Sequence, residues 1–172
     1  MTLDENDIVT RFVFGGRNIK KIENYNGISE IVVQPKAFEP ERKKNDLSVS
    51  KISDLKLGSD ERSIWFIGKF VENERKRGGN PSNLYGRADL SVSQIRDLHL
   101  DVVPDEPPPR HANIEKFPSL SEATDSECFQ IQHKLADRAE GFLSKEVAPN
   151  ISDILNEDVR VKSDFSDSSS IN

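Results

Sequence analysis

The chain has 172 residues, a formal net charge of -6, 31% charged residues and a mean hydropathy of -0.63. Leu, Ile, Val and Phe make up about 27% of it, above the ~20% below which chains usually fail to collapse, so a single core is expected and a second full domain is not. Nothing approaches the ~18 apolar residues of a membrane span, the start MTLDENDIVT lacks a signal-peptide pattern, and a lone Cys128 excludes an internal disulfide or a multi-thiolate metal site.

These features predict a cytoplasmic protein with no membrane contact. The charge is uneven: residues 1–100 carry 17 Lys/Arg against 15 Asp/Glu, residues 101–172 carry 7 against 15. A general basic footprint for nucleic acid is therefore missing, and only Arg42-Lys43-Lys44 and Arg75-Lys76-Arg77 offer local patches. Nucleic acid is not the expected partner.

In chain order, Ile8 to Phe14 alternates β-branched and aromatic residues before Gly15-Gly16 and predicts a strand. Arg17 to Glu30 has no period and reads as a loop. Ile31-Val32-Val33 is a second strand that Pro35 turns out of the sheet. Leu47 to Ile52 alternates strictly, with Leu47, Val49 and Lys51 on one side, and gives a third. The segment Ser59 to Gly79 predicts a helix over about 60–77. Ser59 caps it, Asp60 and Glu61 sit at its positive end, and Arg75, Lys76 and Arg77 sit at its negative end before two glycines. Its apolar positions Ile64, Ile67, Gly68 and Val71, widened by Trp65, Phe66 and Phe70, predict burial, with Trp65 in the core.

Leu84 to Leu90 is a strand whose Tyr85, Arg87 and Asp89 share a polar face. Ser91 and Gln94 have the spacing of a capping box for a short helix over about 92–98. Leu100 to Val103 then runs into Pro104 and Pro107-Pro108-Pro109, an extended connection that cannot be a central strand. Arg110 to Ile114 returns to extended structure and Phe117-Pro118 ends it. Thr124 and Glu127 announce a last helix over about 125–144, with Cys128, Ile131, Leu135, Ala139 and Phe142 as its apolar stripe. The expected organisation is one α+β domain, residues 1–149, with a mixed or mainly antiparallel sheet of four or five strands packed by two main helices. A flexible acidic Ser/Asp-rich tail, 150–172, follows it.

No phosphate-binding glycine loop, dinucleotide fingerprint, His-Glu-x-x-His or Cys-x-x-Cys is present, and His99, His111 and His133 lack metal-ligand spacing, so no cofactor and no metal are implied. The remaining constellation pairs Arg87 and Asp89 with Arg110, His111 and Asn113. If their segments were neighbours, Arg could clamp an anion while His111 titrates and Asp89 or Asn113 orients it. The alternative is a purely structural pairing of Arg87 with Asp89.

The runs Leu47 to Val49, Ile64-Trp65-Phe66-Ile67-Gly68, Gly86-Arg87-Ala88-Asp89-Leu90 and Pro108-Pro109-Arg110-His111-Ala112-Asn113-Ile114 resemble small bacterial proteins that share the Gly-Arg-Ala-Asp-Leu and His-Ala-Asn-Ile patterns over about residues 8 to 142. The resemblance points to the same residues and implies no catalytic role for any of them. Two functions follow as expectations. The first is a non-enzymatic accessory or protein-interaction module of the bacterial cytoplasm, bound to another protein through the polar strand face, the Pro-rich loop 104–109 and the tail. The second is a small enzyme or binder of an anionic, nucleotide-like substrate using Arg87, Asp89, Arg110, His111 and Asn113.

Overall fold

A computed structural model describes residues 1–53, 61–118 and 125–144. Eight strands run in chain order: β1 (Ile8–Phe14), β2 (Ile19–Glu23), β3 (Ser29–Val33), β4 (Leu47–Lys51), β5 (Leu84–Ser91), β6 (Asp101–Pro104), β7 (His111–Glu115) and β8 (Glu140–Leu143). The helices are α1 (Glu61–Arg77), α2 (Val92–Arg96) and α3 (Asp125–Arg138), with one turn of 3-10 helix at Pro35–Phe38. Six strands form one antiparallel sheet in the order β6-β7-β4-β1-β5-β8, and β2 and β3 form a separate hairpin. The fold is α+β, as the element pattern predicts.

The sheet has two buried faces because its central strands carry apolar residues on both sides. On β1, Phe12 packs with Ile64, Trp65, Phe66 and Ile67 of α1, while Val9 and Val13 belong to a larger cluster that includes Leu90, Val92, Ile95 and Leu135. So α1 covers one face, and α2, α3 and the base of the hairpin contribute to the core on the other. Gly68 lets α1 approach: a Cβ there would lie 2.7 Å from the Phe12 ring and 2.8 Å from Leu84. The helix ends where Gly79, at φ +92, turns the chain, with Gly79 N–H on Lys76 O and Asn80 N–H on Arg75 O. The expected cap Ser59 and the acidic Asp60 beside it lie outside the described residues, as do Thr124 and the segment 145–172 that includes the predicted tail.

Local signals placed several elements correctly. The Ser91/Gln94 capping box is formed in both directions, at 3.2 and 2.9 Å, and starts α2. Pro104 closes β6, which lies at the sheet edge, where a residue without an N–H leaves no ladder bond unmade. Trp65 is fully buried.

Two elements differ from expectation. Ile19–Glu23, inside the stretch read as a loop, is β2, paired along its whole length with β3. Only Ile19 is buried, so the strand carries no alternation to detect. The last helix stops at Arg138, and residues 140–143 become β8 on the edge of β5. Ala139 and Phe142 extend the helical spacing by coincidence; sheet pairing and the packing of Phe142 prevail over it. β8 brings the main sheet to six strands instead of four or five, while β2 pairs with β3 outside it.

Gly86 makes the β5–β8 pairing close, since a Cβ there would stand 2.6 Å from the Phe142 carbonyl oxygen. Gly86→Ala must therefore push β8 away or twist β5, and is expected to destabilise the fold by about 1–3 kcal/mol. Urea unfolding checks this, with a lower midpoint at an unchanged m-value as the expected result.

Candidate functional site

The polar face of β5 lies beneath α1. Antiparallel register puts Phe12 opposite Arg87 and Arg87 opposite Phe142, so the guanidinium is flanked by aromatic side chains on both neighbouring strands. Its carbon lies 4.2 Å from the centre of the Phe142 ring and 5.1 Å from that of Trp65. Arg87 is only 2% exposed. Such a charge must be matched at once, because leaving it unpaired costs several kcal/mol.

It is matched on every nitrogen. Nη1 and Nη2 donate to the two carboxylate oxygens of Glu61 at 2.6 and 3.0 Å, and Nε donates to both oxygens of Asp89 at 3.2 Å. Trp65 Nε1 also donates to Glu61, at 3.2 Å, which fixes the carboxylate one helical turn above the indole. Hydrogen bonds from Arg87 outweigh burial and hold the Glu61 carboxyl below the ordinary carboxylate range. Burial pushes Asp89 up, and the charge of Arg87 offsets only part of this. Burial pulls the Arg87 guanidinium down, while its two carboxylates raise it further and leave it above its usual value. The cluster is a closed ion network with no guanidinium nitrogen left without a carboxylate partner.

Arg110, His111 and Asn113 form a second group. His111 and Asn113 stand on the same sheet face as Asp89: His111 is opposite Ser50, Ser50 opposite Thr10, and Thr10 opposite Asp89. Three strand spacings separate them, about 14 Å. The five candidates therefore share a sheet but do not converge, and β1 and β4 stand between the two groups. His111 Nδ1 is 2.8 Å from the Asp105 carbonyl oxygen, and Asn113 Nδ2 donates to the Asp105 carboxylate at 2.9 Å. Arg110, held at φ 65, donates from Nε to Lys51 O at 2.8 Å and from Nη2 to Ser53 O. These contacts pin the connection between β6 and β7 onto the end of β4. Glu106 reinforces the pin by accepting from the Met1 ammonium at 3.2 Å and from Arg110 N at 2.9 Å.

The other singled-out residues are quickly placed. His133 is exposed and 3.0 Å from Asp137, while half-buried Cys128 approaches the Pro118 carbonyl oxygen at 3.6 Å. Lys76 binds Glu72 and Asn83, and Arg77 binds Glu74, so the basic triplet of α1 is divided among separate contacts. Among the described residues no three His, Cys, Asp or Glu side chains gather as metal ligands, and no helix is long and apolar enough to cross a membrane.

One surface escaped sequence reasoning. The turn between β2 and β3 is ordered by Asn24, whose side chain accepts from Asn26 N and Ile28 N at 3.0 and 3.1 Å. It raises Tyr25, 98% exposed, and Ile28, 62% exposed, beside Ile22, 46% exposed. Ile22 pairs with Glu30, two residues beyond Ile28, so the two isoleucines lie diagonally on one face of the hairpin. Ile19 and Val33, on the opposite face, are buried in the core. The signal was available in the sequence as a Tyr flanked by two Ile in a Gly/Asn-rich segment, but exposure depends on the hairpin.

Compared with protein-family models, characterised proteins and solved structures, the chain has no match.

Two outcomes test the ion network. Arg87→Leu leaves Glu61 and Asp89 without their common partner and is expected to cost about 3–5 kcal/mol in chemical unfolding. The second concerns pH. A carboxyl whose folded pKa lies below its unfolded value of about 4.3 stabilises the fold above that value and loses its contribution as pH falls through the folded one. Glu61→Gln should therefore flatten the acid limb of the stability profile below about pH 4.3, as followed by thermal melts across that range.

Proposed function

We propose that the chain is a non-enzymatic protein-interaction module of the bacterial cytoplasm, and that the tip of the β2–β3 hairpin is its docking element. The observation that carries this reading is the outward display of Ile22, Tyr25 and Ile28 on an ordered turn whose other face is anchored in the core. Large apolar side chains grouped on the surface mark contact sites, and aromatic residues are enriched at the centres of such contacts. Lys20, Lys21, Glu23 and Glu30 surround the group with charge, as a polar rim surrounds an interface.

The polar groups first suspected of chemistry support the same reading in a different way. Arg87, Asp89, Arg110, His111 and Asn113 are engaged in contacts that hold α1, β5, β7 and the β6–β7 connection in place. Their types are those of a site, and their bonds are those of a scaffold. The resemblance to small bacterial proteins and the single cysteine support the compartment.

The test is affinity capture from the native cytoplasm with the wild type and with Ile22→Ser/Tyr25→Ser/Ile28→Ser. Surface changes of this kind usually stay within ±0.5 kcal/mol each, so the variant should melt close to wild type while losing the proteins that wild type retains. An identical captured set from a folded variant would reject the hairpin as the docking element. Light scattering of both forms separates a foreign partner from self-association.

A further inference from the structure

β1 and β4 pair only at Val9–Lys51 and Thr10–Ser50, and beyond these residues the two strands part. The gap opens into a cleft of about 560 Å³, roofed by the end of α1 at Phe70, Val71 and Arg75, with Ser48, Ser50 and His111 on its wall. Arg11 closes the gap. Its Nη1 donates to Ser48 O at 2.9 Å and its Nε to Ala37 O at 3.3 Å, and neither partner carries a charge.

Arg75 enters from the opposite side. Its guanidinium carbon stacks 4.2 Å from the centre of the Phe14 ring, and its Nε is buried without a hydrogen-bond partner. Among the described residues neither Arg11 nor Arg75 has a carboxylate in ion-pair contact. This contrasts with Arg87, Lys51, Arg96 and Arg77, each of which has at least one. Burial and the positive charge of Arg75 together pull the Arg11 guanidinium down to about 10, while burial alone lowers Arg75. Two buried cations in one cleft, one of them lowered further by the charge of the other, are stabilised by an anion placed between them. Guanidinium forks match the geometry of a carboxylate or phosphate oxyanion.

We infer that the cleft between β1, β4 and the end of α1 binds a small ligand through one oxyanion group, held by Arg11 and Arg75. Ser50, which makes no side-chain hydrogen bond among the described residues, and Ser48 supply hydroxyls on the same wall. The rim sets the rest of the ligand. Glu39, Glu41, Asp46 and Glu74 also line the cleft, and among the described residues only Glu74 is held by an arginine, Arg77 at 2.6 Å. A polyanion would meet these carboxylates, so the ligand bears a single anionic group on an otherwise neutral or cationic body. The site lies in the gap between β1 and β4, with Arg75 reaching it from the α1 side, and does not involve the hairpin tip, so it stands or falls independently of the docking proposal.

The probes are inorganic phosphate and acetate, the two simplest carriers of the oxyanion, titrated into the full chain at constant ionic strength against chloride and followed by amide chemical shifts. The expected result is saturable movement confined to Arg11, Phe14, Ser48 and Ser50, with half-saturation below roughly 10 mM for at least one probe. Whichever probe saturates at the lower concentration identifies the ligand's head group.

Arg75→Gln should weaken that binding by roughly tenfold, and Arg75→Lys, which keeps the charge and loses the fork, by several-fold. Lys134→Gln, an exposed cation of α3 that does not line the cleft, should leave it unchanged. Phosphate also stabilises proteins by exclusion from their surface, so thermal shifts are read as the difference between wild type and Arg75→Gln. Shifts that never saturate with either probe, or wild-type affinity in both Arg75 variants, would overturn the site. Spectra of the variants in chloride show that they are folded.

Discussion

Burying the Arg87 guanidinium is the constraint around which this fold is arranged. A charge with almost no access to water is tolerable only if carboxylates and aromatic faces replace its hydration, and no single element supplies them. Glu61 and Trp65 come from α1, Asp89 from β5 itself, and Phe142 from β8. Satisfying one side chain thus fixes a helix and an edge strand against the middle of the sheet. Its net worth to stability is modest, since desolvation consumes most of the Coulombic attraction. Its larger effect is on register. β8 is four residues long, and a slip of one position would carry Phe142 to the other face and replace it with Gly141 or Leu143.

The same physics secures the opposite end of the sheet. Lys51 occupies the apolar side of β4, in line with Leu47 and Val49, and is nearly as buried as they are. Its ammonium reaches Asp7 at 3.0 Å and the Thr2 carbonyl oxygen at 3.1 Å, while Asp7 accepts from the Ser53 hydroxyl at 2.7 Å. Burial raises the Asp7 carboxyl, and hydrogen bonds from the Asp4 backbone N–H, the Ser53 hydroxyl and the Lys51 ammonium more than reverse it. The N-terminal arm, the end of β4 and the β6–β7 connection are joined by such contacts, with Met1 on Glu106 and Arg110 on Lys51 and Ser53. Segments without regular structure are held by ions because they have little apolar surface to bury.

These two clusters explain what the sequence could and could not reveal. Elements were legible where a local rule governs them: alternation in β1 and β4, a capping box before α2, terminal charges and glycines around α1. β2 was hidden because Ile19 is its only buried residue and Lys20, Lys21 and Glu23 face water. β8 was hidden because Ala139 and Phe142 continue the helical spacing of α3, and only the neighbouring strand decides otherwise. The chemical types at the suspected site were equally plain, but their grouping was not. Whether Arg87 meets His111 depends on strand order, and β1 and β4 happen to lie between them. Alternation placed Arg87 and Asp89 on one face; it could not show that α1 covers that face.

What separates scaffold from site in this molecule is whether a charge is already satisfied. Arg87 has two carboxylates and Lys51 has Asp7, so each is accounted for by the structure it holds. Arg11 and Arg75 are accounted for only in part, by neutral carbonyls and a phenyl ring, and they face a cleft. The hairpin tip is the apolar counterpart, a group of large side chains given an ordered turn but no surface to cover. Neither feature matches a sequence motif, because motifs encode residue type and spacing. Unmet interaction capacity emerges only after the strands have been ordered and every nearer partner has been assigned.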